Sequence, residues 1–135
     1  MKQCSVLIVN CSGREVSHLQ PLQQRGFRVV EIAEWPSDSV VNEYEVIVIV
    51  LRETDTVSVV AARMRAKPKC GNRVLIGLTL RPPSAAERRY AIVSGFDDLV
   101  GESNDSRIVI ARILHRLRAR PEHRCLLPER KRPAA

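Results

Sequence analysis

The sequence predicts an α/β protein: a doubly wound parallel sheet of five strands with helices on both faces. Three observations predict it. Five short apolar runs have the pattern of buried strands, and a helix-forming segment follows each of them. Aromatic residues make up only 4% of the 135 residues, so the core must consist mainly of Val, Ile and Leu. Strands that alternate with helices are typical of parallel sheets joined by right-handed crossovers.

The predicted strands are apolar runs bounded by polar or turn-forming residues. The third run is the strongest, since five of its six apolar residues are β-branched. Because the runs are mostly continuous rather than alternating, we expect strands that are buried on both faces. In chain order they are Ser5–Val9, Phe27–Ile32, Val46–Leu51, Val74–Leu80 and Leu99–Val100.

The first three predicted helices have weaker signals. Helical spacing begins at Val16 and ends at Gly26, but Pro21 in the middle predicts a kink or a late start. Cap-forming residues at 35–39 precede a short second helix. Residues 55–66 form the third, although a valine-rich start weakens that prediction.

The last two predicted helices have clear boundaries. Ser84 is a candidate N-cap for a helix over Ala85–Ser94, which Gly95 ends. The fifth helix, Ser106–Arg118, is amphipathic. Its inner side is formed by Val109, Ile110, Ile113 and Leu117.

Length and charge indicate one domain followed by a basic tail. Residues 107–135 contain nine Lys or Arg and two Asp or Glu, which accounts for the whole formal net charge of +7. Residues 1–106 contain thirteen of each sign and are balanced. We therefore predict a globular domain over residues 1–119 and a flexible, proline-containing tail or linker over residues 120–135.

The sequence has no feature of a membrane or secreted protein. No apolar run is long enough to cross a bilayer, and no signal peptide precedes the first strand. The four cysteines, at positions 4, 11, 70 and 125, lack the spacing of a metal site. We therefore expect a cytoplasmic protein with reduced thiols and no bound metal.

Three segments of the chain, AIVSGFDDLV at residues 91–100, VIARI at 109–113 and EVIVIVLR at 45–52, resemble segments of response-regulator receiver domains, the CheY-like superfamily. Residues 91–100, AIVSGFDDLV, are similar to the A-x-x-x-G-A-D-D-Y segment of that family. Residues 109–113, VIARI, resemble its L-L-A-R-I pattern, and residues 45–52, EVIVIVLR, resemble its third strand. The resemblance extends from residue 5 to about residue 120. It implies a flavodoxin-like fold of five β/α units with the strand order 2-1-3-4-5, and a role in two-component signalling.

The resemblance also implies that the phosphorylation chemistry is lost. Receivers use an acidic pair to hold Mg²⁺, an acceptor Asp, a hydroxyl residue and a Lys. In this chain those positions fall on Asn10 and Cys11, Val50, Thr79 and Glu102. Only Thr79 keeps its type, and a valine cannot accept a phosphoryl group. The resemblance thus implies a pseudo-receiver with a degenerate pocket, which is not an enzyme and binds neither Mg²⁺ nor another cofactor.

A protein interface is expected on the face formed by the fourth helix, the fifth strand and the fifth helix. In receivers of winged-helix transcription factors, the residues matching Asp98 and Arg112 form a salt bridge between two subunits. Arg88 matches a basic residue of that network, whereas Ile108 and Leu114 replace charged residues. We expect these five residues to form an interface, most simply of a homodimer. The alternative is that Asp98 and Arg112 are ordinary surface charges.

Three alternatives to this interpretation stay open. In the first, Glu53 or Asp55 accepts the phosphoryl group in place of the missing Asp, although both residues lie beyond the end of the third strand. Cys11 would be a nucleophile, although Ser17 stands where the Cys-x5-Arg phosphatase loop needs Arg. The basic tail would bind nucleic acid by counterion release, although no aromatic residue within it can stack on bases.

The predicted function is therefore a non-phosphorylatable signalling module that acts by protein contact, alone or as the regulatory domain of a larger response regulator. A nucleic-acid-associated transcription regulator that uses its C-terminal tail is the alternative.

Overall fold

A parallel sheet of five strands forms the centre of the molecule. The computed structural model describes residues 4–16, 19–53, 55–67, 73–102 and 106–119. Neighbouring strands pair in the order β2-β1-β3-β4-β5, and every pair is parallel. The strands are β1 (Ser5–Val9), β2 (Arg28–Ile32), β3 (Val46–Val50), β4 (Val74–Thr79) and β5 (Asp98–Gly101). The predicted fold class and strand order are confirmed.

The five helices follow the predicted order. They are α1 (Pro21–Gln24), α2 (Asp38–Val41), α3 (Val57–Arg65), α4 (Ala85–Ser94) and α5 (Ser106–Arg118). The bounds of α4 and α5 are those predicted. The first helix starts late, at Pro21. The N–H groups of a first helical turn have no partner within the helix, and proline has no N–H, so it is well suited to this position. Gly26 follows it with a φ of +90°, a conformation that favours glycine.

Two serines are N-caps of helices: Ser84, as predicted, and Ser37, which lies among the cap-forming residues predicted at 35–39. Ser37 Oγ accepts a hydrogen bond from the Val40 N–H at the start of α2. Ser84 forms a capping box with Glu87, in which each side chain accepts the other residue's backbone N–H at 3.1 Å. These local bonds satisfy N–H groups that the first turn leaves without partners.

The core forms two layers, one on each face of the sheet. Alternate residues of β3 point to opposite faces, so Val48 joins one layer and Ile47 the other. Helices α1 and α5 cover the first layer, whereas α2, α3 and α4 cover the second. The predicted inner side of α5 is fully buried, as β1 and β3 are. Within the described residues, no helix is long and apolar enough to cross a membrane.

Parallel strands bring the loops after β1, β3, β4 and β5 to one side of the molecule, here called the carboxyl edge. The register places Val9 beside Ile49, Val50 beside Leu78, and Thr79 beside Gly101. The Glu102 N–H continues this ladder by donating to the Thr79 carbonyl at 2.6 Å. All residues of the predicted degenerate pocket follow or end these strands, so the carboxyl edge is the first site to consider.

Candidate functional site: the carboxyl edge and the α4–β5–α5 face

Asn10 holds the loop after β1 in shape. Its side-chain NH₂ donates to the Arg14 carbonyl at 2.7 Å, and its side-chain oxygen accepts from the Ser12 N–H and hydroxyl. The Ser12 hydroxyl in turn accepts from the Arg14 N–H at 3.1 Å. An aspartate could not donate to the Arg14 carbonyl, so the amide has a structural role here that an ionised carboxylate cannot take.

Arg14 brings a positive charge to the carboxyl edge that the sequence analysis missed. Its guanidinium donates to the Leu51 carbonyl at 3.2 Å and pairs with the Glu102 carboxylate at 2.9 Å. This bridge joins the loops after β1, β3 and β5. The charges are therefore reversed relative to an active receiver pocket, with the cation after β1 and the carboxylate after β5. The sequence did contain a signal for this ion pair: Arg14 in the loop after β1 and Glu102 in the loop after β5 carry opposite charges. The sheet topology brings these two loops together.

The remaining predicted pocket residues lie in three different surroundings. Val50 ends β3 and is 2% exposed. The Thr79 hydroxyl donates to the Arg81 carbonyl of its own loop at 2.6 Å. Cys11 is exposed. In the part of the chain that the structure describes, no cluster of three or more His, Cys, Asp or Glu side chains could hold a metal ion.

The two carboxylates considered as displaced acceptors are both paired. Asp55 accepts from the backbone N–H and the guanidinium of Arg52, at 2.8 and 3.0 Å. The guanidinium bond, and secondarily the charge of Asp55, raises the pKa of Arg52. Glu53 lies 3.8 Å from the Arg81 guanidinium on the surface. Neither carboxylate lies at the end of β3, where the acceptor position falls on Val50.

Asp98 is not an ordinary surface charge, in contrast to what the alternative predicts for this residue. It begins β5 and is 2% exposed. One carboxylate oxygen accepts from the Leu99 N–H at 2.8 Å. Arg88 of α4 and Arg112 of α5 approach the carboxylate to 3.4 and 3.3 Å. Arg116 of α5 lies 3.9 Å away, so three guanidiniums surround one buried carboxylate.

Arg116 was missed by the sequence analysis, although its spacing gave a signal. It follows Arg112 by four residues, and such residues share one face of a helix. Ile108 precedes Arg112 by four residues on the same stripe, and Ile92 follows Arg88 by four on α4. Both isoleucines are partly exposed, Ile92 at 43% and Ile108 at 46%. The arginine face is defined by Arg88, Ile92, Asp98, Ile108, Arg112 and Arg116.

Leu114, the fifth predicted interface residue, lies elsewhere. It is 7% exposed and belongs to the core layer beneath α5. Two positions after Arg112, it points toward the sheet and not along the exposed stripe. A partner on the arginine face would therefore touch little of it.

The comparisons with known proteins identify the fold. No protein-family profile matches the sequence, and no curated protein matches it in sequence. The structure is similar to a CheY-like receiver domain protein from Methanospirillum hungatei JF-1, with a TM-score of 0.65 and 15% identity over 90% of this chain and 98% of that one. An orphan response regulator of H. pylori gives a TM-score of 0.63 at 19% identity, covering 84% of this chain and 96% of that one.

A third solved structure is an atypical orphan response regulator, described as having a phosphorylation-independent regulatory mechanism. It is similar with a TM-score of 0.64 and 19% identity, over 84% of this chain and 95% of that one. The three similarities cover nearly the whole length of each of these solved structures. The chain therefore has the fold of response-regulator receiver domains.

Proposed function

We propose that this protein is a receiver-like regulatory module that is not phosphorylated and acts through protein contacts. The observation that carries the proposal is the Arg14–Glu102 bridge, at 2.9 Å, across the loops where a receiver holds its metal and phosphate. Val50 stands at the acceptor position and offers only a buried hydrocarbon side chain. In this proposal the protein has no catalytic activity and binds neither Mg²⁺ nor another cofactor.

Incubation with acetyl phosphate and Mg²⁺ tests this proposal. We expect the intact mass of the chain to stay unchanged while an ordinary receiver in the same tube gains one phosphoryl group. A gain of one phosphoryl group by this chain would overturn the proposal. Peptide mapping would then show whether Glu53 or Asp55 is the displaced acceptor.

The surface we propose for protein contacts is the arginine face. Three guanidiniums surround one buried carboxylate, which leaves an excess of two positive charges. Ile92 and Ile108 add exposed apolar area beside them. Interfaces commonly place arginines around an apolar centre. By charge complementarity, the partner that fits best is a protein segment that combines carboxylates with an apolar anchor.

The homodimer expected from the sequence is a further proposal for the same face. A symmetric dimer places the same patch of both subunits in contact. The arginines of the two copies would then approach each other, and each Asp98 would have to share its charge across the interface. Because Asp98 is already paired within its own chain, the charge balance favours an acidic partner over a second copy.

The nucleic-acid alternative depends on residues 120–135, which lie outside the described residues. It stays a prediction with its own test. Removal of the residues after Arg118 should abolish binding, and binding should weaken steeply as salt is raised. A cytoplasmic location is likewise a proposal.

A further inference from the structure

A cavity of about 260 Å³ opens at the carboxyl edge between the ends of β1 and β3. Strand order reverses here, since β2 lies on one side of β1 and β3 on the other. The loops after β1 and β3 therefore diverge and leave a crevice. In open α/β sheets, crevices at such switch points are the usual place for ligands.

The cavity has an apolar interior. Val9 and Ile49 line it from the strand ends, and Val59 and Val60 line it from α3. Val59 is 62% exposed, although it is a large apolar residue on a helix. A ligand in the cavity would cover it. This lining favours a ring or another hydrocarbon group over a fully polar ligand.

Trp35 and Arg63 form one wall of the cavity. The guanidinium carbon of Arg63 lies 4.1 Å from the centroid of the Trp35 ring. Among the residues that the structure describes, no carboxylate is within ion-pair distance of Arg63. Its planar N–H donors can therefore pair with an anion, and the indole beneath it adds an aromatic surface to the lining of the cavity.

The rest of the rim contains an ion pair and a helix end. Arg52 and its partner Asp55 both line the cavity, so their charges largely cancel there. Thr56, the N-cap of α3, makes no side-chain capping bond, and no acidic residue lies in the first turn of that helix. The positive end of α3 is thus not offset by its own side chains.

The volume limits the size of the ligand. Pockets for drug-sized molecules measure roughly 300–1,000 Å³, and this cavity lies just below that range. A nucleotide or a flavin would not fit inside it. A single planar ring with one negative charge matches the volume, the apolar and aromatic lining, and an Arg63 guanidinium without a carboxylate partner among the described residues.

We propose that this cavity binds a small aromatic acid, with its ring beside Trp35 and its carboxylate or phosphate paired with Arg63. The site uses no residue of the arginine face and needs no phosphoryl transfer. Its failure would therefore leave the proposed function intact, and the reverse also holds.

Trp35 makes the test direct, because it is the only tryptophan in the chain. The full chain is titrated with benzoate and phenyl phosphate, while Trp35 fluorescence and calorimetric heat are followed. We expect saturable binding of at least one of them with a Kd of about 1 mM or below. Benzamide, acetate and inorganic phosphate should bind at least about tenfold more weakly, since each lacks either the charge or the ring.

Three variants make the test specific. Arg63→Met keeps the apolar stem but removes the charge, so the aromatic acids should fall to the affinity of benzamide. Val59→Phe fills the cavity from an exposed position and should abolish binding without unfolding the chain, which circular dichroism checks. Arg25→Met, at an exposed position, removes the same charge away from the cavity and should change nothing.

The opposite results would overturn the proposal. They are the absence of heat and fluorescence change with both aromatic acids, equal affinity for inorganic phosphate or acetate, and unchanged affinity in Arg63→Met.

Discussion

Cys4 and Cys11 carry the same thiol group in opposite surroundings. Cys4 is 2% exposed beneath the sheet, whereas Cys11 is exposed at the carboxyl edge. Burial, and secondarily the nearby Glu45 carboxylate, raises the pKa of Cys4 from 9.0 to about 12. Only a thiolate is a strong nucleophile, so the two residues should differ in reactivity.

We expect iodoacetamide to alkylate Cys11 near neutral pH while Cys4 stays unmodified in the folded chain. Peptide mass spectrometry measures both sites in one sample. In urea the two thiols should react at similar rates, because the burial of Cys4 is then lost. Equal rates in the folded protein would contradict the buried position of Cys4.

The same pKa shift predicts lower stability in alkali. When the pH exceeds about 9, the unfolded chain loses the Cys4 proton but the folded chain keeps it until about 12. The unfolded state then binds fewer protons, so the free energy of unfolding falls as pH rises through this window. Urea titrations on both sides of about pH 9 should show a smaller fall in Cys4→Ala than in the native chain. An identical fall in both would show that Cys4 does not cause it.

Asp98 has a structural role that is separable from any partner. It is the one carboxylate among three guanidiniums and also accepts from the Leu99 N–H. Asp98→Asn removes the charge with little change of shape, so we expect a loss of about 2 kcal/mol in the free energy of unfolding. Asp38→Asn is the control, because Asp38 pairs with Lys67 on the surface, and its loss should stay below about 1 kcal/mol. Equal losses in urea titrations would show that burial adds nothing to the Asp98 cluster.

At the scale of elements, local signals determined some boundaries and not others. The Ser84–Glu87 capping box and Gly95 lie within the sequence of α4 itself, and both ends of that helix were predicted. The first helix was predicted to start at Val16, with a late start as the alternative, and it begins at Pro21. Helical spacing alone could not decide between these starts, because a proline is accommodated either in the first turn or at a kink within a helix.

The Arg14–Glu102 bridge connects elements from opposite ends of the chain, and a double-mutant cycle measures its strength. Arg14→Ala, Glu102→Ala and the double variant should give a coupling energy of about 1 kcal/mol, since the Glu102 side chain is only 10% exposed. The exposed pair of Arg81 and Glu53 is the control and should give about 0.2 kcal/mol. A coupling energy no larger than that of the control would mean that the bridge does not hold the loops together.

At the scale of the whole molecule, the oligomeric state distinguishes the two proposed occupants of the arginine face. Light scattering at micromolar concentrations should give the mass of a monomer if the partner is an acidic segment of another protein. A dimer that Arg112→Glu dissociates and Arg25→Glu does not would instead favour the homodimer. A dimer that neither variant affects would place self-association on another surface and remove the support for this face.

The fold class, the order of the elements and most of the core could be predicted from the sequence alone. They follow from properties of neighbouring residues: continuous apolar runs, helical spacing, caps and glycine stops. The loss of the acceptor stays a prediction. The tertiary structure alone decided which charges meet. Arg14 meets Glu102 because parallel pairing brings the loops after β1 and β5 to one edge. Three arginines enclose Asp98 at the start of β5 because α4 and α5 pack beside that strand. Trp35 and Arg63, from different elements, border one cavity. Such pairings depend on register and crossover geometry, which no local pattern records.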